Sequence, residues 1–340
     1  MVSIAVPIVS DPAAWTAATF KSPSDYSIAF CDADREELLN AARCIQRQGR
    51  LAPPTKLTSS DFALHESGDR LRRAFMQVRS GCGFVVLQGL PRTGVTFDQF
   101  AAMIWGVNAH FGFPLSQNSR GELLTDAAGS RELGLHTDVT AMLSLSCWNV
   151  PDSGGEIALV SGVTIHNEIV RRAPHLLQVL YRGFHYHRRG EQGAHQEPVT
   201  PFRTPVFAVR NGQISVRWAR AGFIAGHHEL GMTFSDEELL AIELVDEIAR
   251  EPGNSVAFQL RPGDMVVMNN YVVLHARRMF QDLAESERKR RLLRVWLDAR
   301  NFRSVPQEFN QMGAQNGIPY REGRSCGYDW RPAPPRDTSH

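Results

Sequence analysis

In residues 34–48, DREELLNAARCIQRQ, the apolar positions Leu38, Leu39, Ala42 and Ile45 recur at helical spacing behind an Asp32/Asp34 start signal, which predicts an amphipathic helix. After the Pro53-Pro54 break, LRRAFMQVRSG predicts a second helix. Gly81 and Gly83 then lead into FVVLQGL, whose β-branched and aromatic run suits a buried strand, and TFDQFAAMIWGVNAHFG follows as a helix capped by Thr96 or Asp98. From about residue 133 the texture changes. Short apolar runs (AMLSLSCW, EIALV, TPVFAV, ISVRWA, SVAFQL, DMVVMNN, LLRVWL) alternate with Gly, Pro and Asn signals, as in β-barrels and sandwiches. HNEIVRRAPHLLQVLY and SDEELLAIELVDEIAREPG interrupt them as helices, the second opened by Ser235 and closed before Gly253. The expected organisation is one domain over 1–340, mainly β with flanking helices: a helical N-terminal region (1–80), a β core with helical insertions (83–300), and a C-terminal loop or tail (301–340) that is rich in Gly, Pro and Arg from Gln311 onward.

Composition narrows the function classes. A content of 43% hydrophobic residues over 340 positions is enough for a sizeable core. Lys and Arg (37) nearly cancel Asp and Glu (36), so no long-range field draws the chain to nucleic acid or to a membrane. A small-molecule partner fits better, with homo-oligomerisation left open. The five cysteines (Cys31, Cys44, Cys82, Cys147, Cys326) are odd in number and form no CxxC pair, which argues for reduced thiols rather than a disulfide framework or structural zinc. MVSIAVPIVSDPAAW has no basic segment ahead of an apolar one and no later stretch has the length of a membrane span, so a cytoplasmic protein is expected.

The chemistry-bearing residues sit among the β runs. In Leu135-His136-Thr137-Asp138-Val139, strand alternation would put His136 and Asp138 on one face, two ligands of a facial triad that leaves other positions of an iron(II) open. Alone, such a tripeptide is commonplace, and a surface histidine beside an aspartate explains most of them. Here a turn, Arg261-Pro262-Gly263-Asp264, starts a buried run that ends beyond Asn269-Asn270 in Tyr271-Val272-Val273-Leu274-His275, from which a second imidazole can reach the barrel interior. In the segment that follows, Arg290, Leu292, Arg294 and Trp296 share one strand face. An inward guanidinium is costly without a partner, whereas a carboxylate satisfies its planar fork. The predicted ligand is therefore an acidic small molecule, and 2-oxoglutarate carries a carboxylate at each end.

With these segments in order, the chain resembles the taurine dioxygenase and clavaminate synthase-like family. The likeness runs over roughly residues 83–300 through GFVVLQGLP, GFPLSQN (112–118), HTD, SGGE (153–156), HNE (166–168), PVF (205–207), the PGD turn, NNYVVLHAR and RRLLRVWL. It implies a double-stranded β-helix (jelly roll, cupin-like) and an iron(II)- and 2-oxoglutarate-dependent oxygenase. Such an enzyme uses O2 to oxidise a C–H bond of a small organic or amino-acid-like molecule and releases succinate and CO2; hydroxylation, desaturation, cyclisation and demethylation are all open outcomes. By the same resemblance His136, Asp138 and His275 are the iron ligands, Arg290 holds the far carboxylate of 2-oxoglutarate, and Arg294 lies nearer the keto acid end. Gln117, Asn118 and Arg217 are candidate substrate contacts, and Ser116–Gly134 is the candidate lid. One departure stands out. After Gly154-Gly155-Glu156 the family usually has Ser or Thr, and this chain has Ile157, so a hydrogen bond worth about 0.5–1.5 kcal/mol is missing unless Thr164 or a water replaces it. Because Asp138 retains the carboxylate, halogenation is not expected.

Two other readings keep part of the pattern: a cupin-like metal enzyme without 2-oxoglutarate, which would not need Arg290 and Arg294, and a non-catalytic β-barrel binding module in which HTD is incidental. His185 and His187, in FHYHRRGEQG, read as solvated loop residues for want of a third ligand, and Arg188 and Arg189 as a charged loop. For Arg217, in ISVRWARAG, a buried salt bridge and a substrate contact weigh about equally, while Trp218 points the other way into the core. His227-His228 read as surface residues ahead of a helix, and His110 and His175 as core or boundary residues. GxGxxG, GK[ST], GxSxG and HExxH are absent, which removes support for nucleotide-binding, hydrolase and zinc-protease classes.

Overall fold

The computed structural model describes residues 8–51, 54–127, 129–282, 289–299, 301–313 and 317–322, so Cys326 and most of the expected C-terminal tail lie outside the described residues. The helices are α1 (Asp32–Arg47), α2 (Gly68–Ser80), α3 (Phe97–Ala109), α4 (Gly162–Arg172), α5 (Leu177–Arg182), α6 (Arg220–Glu229) and α7 (Asp236–Arg250). The first strands are β1 (Ser27–Ala29), β2 (Phe84–Gln88), β3 (Phe113–Leu115), β4 (Leu124–Asp126), β5 (Leu133–His136), β6 (Met142–Asn149), β7 (Ser153–Gly154) and β8 (Ile157–Ser161). The remainder are β9 (Phe207–Arg210), β10 (Gln213–Val216), β11 (Ser255–Phe258), β12 (Met265–Asn269), β13 (Val273–Arg277), β14 (Phe280–Gln281) and β15 (Arg291–Asp298).

Two sheets carry the fold. The larger runs β1-β2-β12-β6-β15-β3, with β4 also paired to β15, and the smaller runs β11-β8-β13-β5. Strand alternation sends each long strand of the larger sheet into two cores. Phe84 and Val86, Leu143 and Leu145, Val266 and Met268, and Leu292 and Trp296 face Leu159 and Leu274 of the smaller sheet. Their neighbours Val85, Leu87, Met265, Val267, Leu293, Val295 and Leu297 face the opposite way, onto a cluster that includes Leu38 and Ile45 of α1, Val78 of α2 and Phe100 of α3. Fully burying one such side chain is worth about 1.5–3 kcal/mol, so a one-residue slip of any central strand would forfeit a whole row of contacts. The result is a jelly roll: two sheets packed face to face without closing into a barrel, with helices covering the outer face of the larger one.

Local signals explain most boundaries. Thr96, rather than Asp98, caps α3: its hydroxyl accepts from Gln99 N–H while the Gln99 side chain accepts from Thr96 N–H. Ser235 and Glu238 form the same box at α7. In the PGD turn ahead of β12, Gly263 sits at φ 91°, where an added Cβ would lie 2.5 Å from the Leu90 carbonyl oxygen.

The structure corrects several expectations. The helix expected over 166–181 starts earlier, at Gly162, and breaks in two, because Pro174 cannot donate a helical hydrogen bond and pushes Ala173 out of the helical region (φ −153°, ψ 66°). α6 was not anticipated. Its glycines break the apolar periodicity but allow close packing: a Cβ on Gly226 would meet the His185 carbonyl oxygen at 2.4 Å. His227 therefore lies inside a helix and is buried, stacked on Phe234 with ring centroids 4.1 Å apart, instead of standing on the surface. His187 and Arg188 are buried as well, Arg188 donating to the carbonyls of Gln311, Glu197 and Val199. His110 and His175, by contrast, are exposed. The four described cysteines are free, and no helix among the described residues is long and apolar enough to cross a membrane.

His166 of α4 is fully buried, its Nε2 2.6 Å from the Tyr181 hydroxyl, and burial pushes its pKa down to about 4. Between pH 6.5 and 4 the unfolded chain binds a proton there that the folded chain does not, so stability present above pH 6.5 is lost as pH falls through that window. Urea unfolding of the metal-free protein at pH 7 and pH 5 should show a His166-dependent loss on the order of 2 kcal/mol. His166→Phe should remove that share of the difference; a variant that loses as much as the parent would show that another group is responsible.

Candidate active site

β5 ends on His136 and β13 carries His275 at its centre; the two strands are antiparallel neighbours in which these residues are direct register partners. Paired residues point to the same side of a sheet, and the two imidazoles approach to 4.2 Å between ring centroids. Asp138 does not share their strand. The chain leaves β5 after His136 and is pinned by Thr137 N–H donating to the Trp218 carbonyl at 2.7 Å. The turn nevertheless delivers the carboxylate, with Asp138 Oδ1 3.4 Å from His136 Nε2. One ligand atom from each of His136, Asp138 and His275 lies within 4.8 Å of the others, the spacing of donors around one cation.

The donor atoms fit such a cation. His136 Nδ1 is 2.8 Å from the Gly134 carbonyl, so that nitrogen carries a ring proton and Nε2 is the atom turned toward the Asp138 carboxylate. Burial, followed by the neighbouring His136, pushes His275 down to about 3, so it presents the neutral imidazole that metals bind. Burial alone would raise the Asp138 carboxyl, but the Arg294 guanidinium beside it holds it well below the usual carboxylate range. Two imidazoles and one carboxylate match the donor set of non-haem iron(II) sites with open positions.

Asp138 is supported from all sides. Its N–H donates to Asn270 Oδ1 at 3.3 Å and its carbonyl accepts from Arg217 Nη1. Its Oδ2 accepts from Trp296 Nε1 at 2.7 Å and lies 3.5 Å from Arg294 Nη1. Arg217 is only 2% exposed and sits over the rings of Tyr271 and Phe309, at 5.3 and 5.4 Å. It follows β10, which stops at Val216, and braces the backbone of Asp138 instead of offering a surface to substrate; Trp218 is core, as expected. Gln117 is likewise engaged: Oε1 accepts from Arg294 Nε at 2.7 Å and from Thr125, while Nε2 donates to the Leu123 and Arg294 carbonyls. Asn118 holds its own turn through Glu122 and Arg120 N–H. Of the expected lid, Leu124–Asp126 is fixed to β15 as β4.

At the other end of β15, Arg290 lines a small cavity with Cys147, Gly155, Ile157 and Leu292. Its Nη1 donates to the Ala127 carbonyl at 3.1 Å and its guanidinium lies over the Phe280 ring at 4.7 Å. Burial, then the charge of Arg277, pushes Arg290 down to about 10. Thr164 is not brought to this cavity. It lies beyond the opposite end of β8 from Ile157, and its hydroxyl donates to the Trp15 carbonyl at 2.7 Å. Trp296 and Asn270 were not among the candidate site residues. Alternation placed Trp296 on the face of Arg294, but nothing in the sequence located the oxygen that it meets.

Residues 50–296 match the taurine catabolism dioxygenase TauD, TfdA family. The FR-33289 synthase of Streptomyces rubellomurinus is 28% identical over 90% of this chain and 95% of its own length. Among solved structures, an asparagine oxygenase in complex with Fe(II), 2S,3S-3-hydroxyasparagine and succinate has a TM-score of 0.61 at 16% identity, covering 80% of this chain and 93% of that one. The non-haem iron oxygenase OrfP in complex with Fe and alpha-ketoglutaric acid has a TM-score of 0.58 at 14% identity, covering 84% and 99%. At those identities the two structures speak to the fold alone, whereas the family match spans well over half the chain. The chain belongs to the TauD, TfdA family and is a non-haem iron(II)- and 2-oxoglutarate-dependent dioxygenase.

Proposed function

We propose that His136, Asp138 and His275 hold the iron(II), that Arg290 receives the far carboxylate of 2-oxoglutarate, and that the enzyme oxidises a C–H bond of a small amino-acid-like molecule. The observation that carries the reading is the cross-strand pair His136–His275 with Asp138 folded against it. Bound iron and 2-oxoglutarate supply the oxidising power, O2 being consumed as the keto acid leaves as succinate and CO2.

The residues of the chain do the placing. Arg290 remains charged at neutral pH in a partly dry pocket, and its side chain meets a carbonyl and a ring. A carboxylate that meets its fork is strongly favoured there. Arg294 is held by Gln117 with Nη1 toward Asp138, which supports a role at the keto acid end. Ile157 contributes apolar contact where the family usually has a hydroxyl, so the charge of Arg290 carries more of the binding. The amino-acid-like substrate class is supported by relatives of the same fold, whose complexes hold hydroxyasparagine and arginine.

The test is succinate formation with added iron(II) and 2-oxoglutarate across a panel of amino-acid-like compounds. At least one compound should raise it well above the uncoupled background, and a flat panel would overturn the substrate class. His136→Ala and His275→Ala should each abolish turnover and Mn(II) binding while the circular dichroism of the fold persists; retained tight binding by either would remove that residue from the ligand set. Losing a charge-assisted hydrogen bond costs about 1.5–3 kcal/mol, so Arg290→Ala should raise KM for 2-oxoglutarate roughly ten- to hundredfold. An unchanged KM would reassign the far carboxylate to another side chain.

A further inference from the structure

Asp138 is the one member of the triad with two oxygens to offer, and its surroundings treat them differently. Oδ1 faces His136 Nε2 at 3.4 Å, whereas Oδ2 accepts the Trp296 indole N–H at 2.7 Å. Arg294 Nη1 is farther from Oδ2, at 3.5 Å, and its Nε is committed to Gln117. The indole cannot follow the carboxylate if it turns. Trp296 is 5% exposed and is locked in the middle of the larger sheet, paired with Leu143 on one side and Leu115 on the other. Nor can its N–H be released without cost, because a buried donor left without an acceptor loses about 1–3 kcal/mol.

We infer that Trp296 is a positioning residue that holds Oδ2 off the metal, so that Asp138 binds through Oδ1 alone. This rests on the reading of the triad as the metal site. The consequence concerns coordination number. A carboxylate with both oxygens free can chelate and occupy two positions of a six-coordinate ion, while one oxygen tied back limits it to one. With two imidazoles and a one-oxygen carboxylate, three positions remain: two for a chelating keto acid and one more. If Asp138 chelated, the keto acid would take the last of them. A neutral donor suits this task, because it restrains the oxygen without neutralising the charge that the metal needs.

The experiment counts the waters on Mn(II) bound to the protein without 2-oxoglutarate, from the broadening of its electron paramagnetic resonance lines in oxygen-17 water. The parent should show three exchangeable waters, and Trp296→Phe, which keeps an aromatic ring and removes the N–H, should lose one. Val295→Ala, next to Trp296 on β15 but buried in the opposite core, should keep the parental count and controls for general loosening of β15. Equal counts in the parent and Trp296→Phe would reduce Trp296 to core packing. Two waters on the parent would show that Asp138 chelates and would overturn the inference even if Trp296→Phe does not fold. Failure of the parent to bind Mn(II) would instead strike at the triad itself.

Discussion

The site depends on one pairing, His136 of β5 opposite His275 of β13. Two residues separated by most of the jelly roll in sequence are brought together by a backbone ladder, not by side-chain attraction. The ladder is in turn fixed by β8, which pairs with the other edge of β13 and matches Leu159 to His275 and Ile157 to Arg277. A one-residue slip of β13 would turn His275 away and bring Leu274 or Ala276 to the metal face. Burial of Leu274 in the core between the sheets opposes that slip, so the hydrophobic effect sets the position of the ligands.

The second constraint is electrical. A carboxylate as buried as Asp138 is costly to desolvate, and its neighbours offset that cost through the Arg294 charge and the Trp296 N–H. Arg217 and Asn270 act on the backbone of the same residue, so its position is fixed at the main chain as well as at the side chain. Preorganisation of this kind is what lets three donors wait for a cation without collapsing onto one another.

What could be read from the sequence follows the physics of each signal. The alternation along FVVLQ, DMVVMN and RRLLRVWL was legible because burial on both faces of a central strand leaves long apolar runs with the odd polar residue pointing inward, and the structure divides those runs between two cores. The triad was legible because metal ligands are few in type. Arg217 and Gln117 misled for a common reason. A polar residue in an apolar run announces that something polar is near, but not whether that partner is a substrate or the protein's own backbone. In the structure both brace residues of the candidate site, Arg217 through the Asp138 carbonyl and Gln117 through Arg294. His227 read as a surface residue because α6 lacks an amphipathic stripe, with Gly226 needed for close approach to the chain at His185.

The two ends of the site are built on different principles. At the triad end Asp138 is constrained by several neighbours, and the two imidazoles are set by the strand pairing. At the Arg290 end the described contacts are a carbonyl and an aromatic ring, and the nearby Arg277 charge depresses the pKa of Arg290. A carboxylate arriving at Arg290 would meet a guanidinium that is largely desolvated and close to a second positive charge. Ile157 sharpens the same preference, because an apolar wall gives no hydrogen bond to a shorter or uncharged keto acid. In the proposed role, selectivity for the co-substrate therefore rests on the charge of Arg290, whereas Asp138 at the other end is held by hydrogen bonds at side chain and backbone alike.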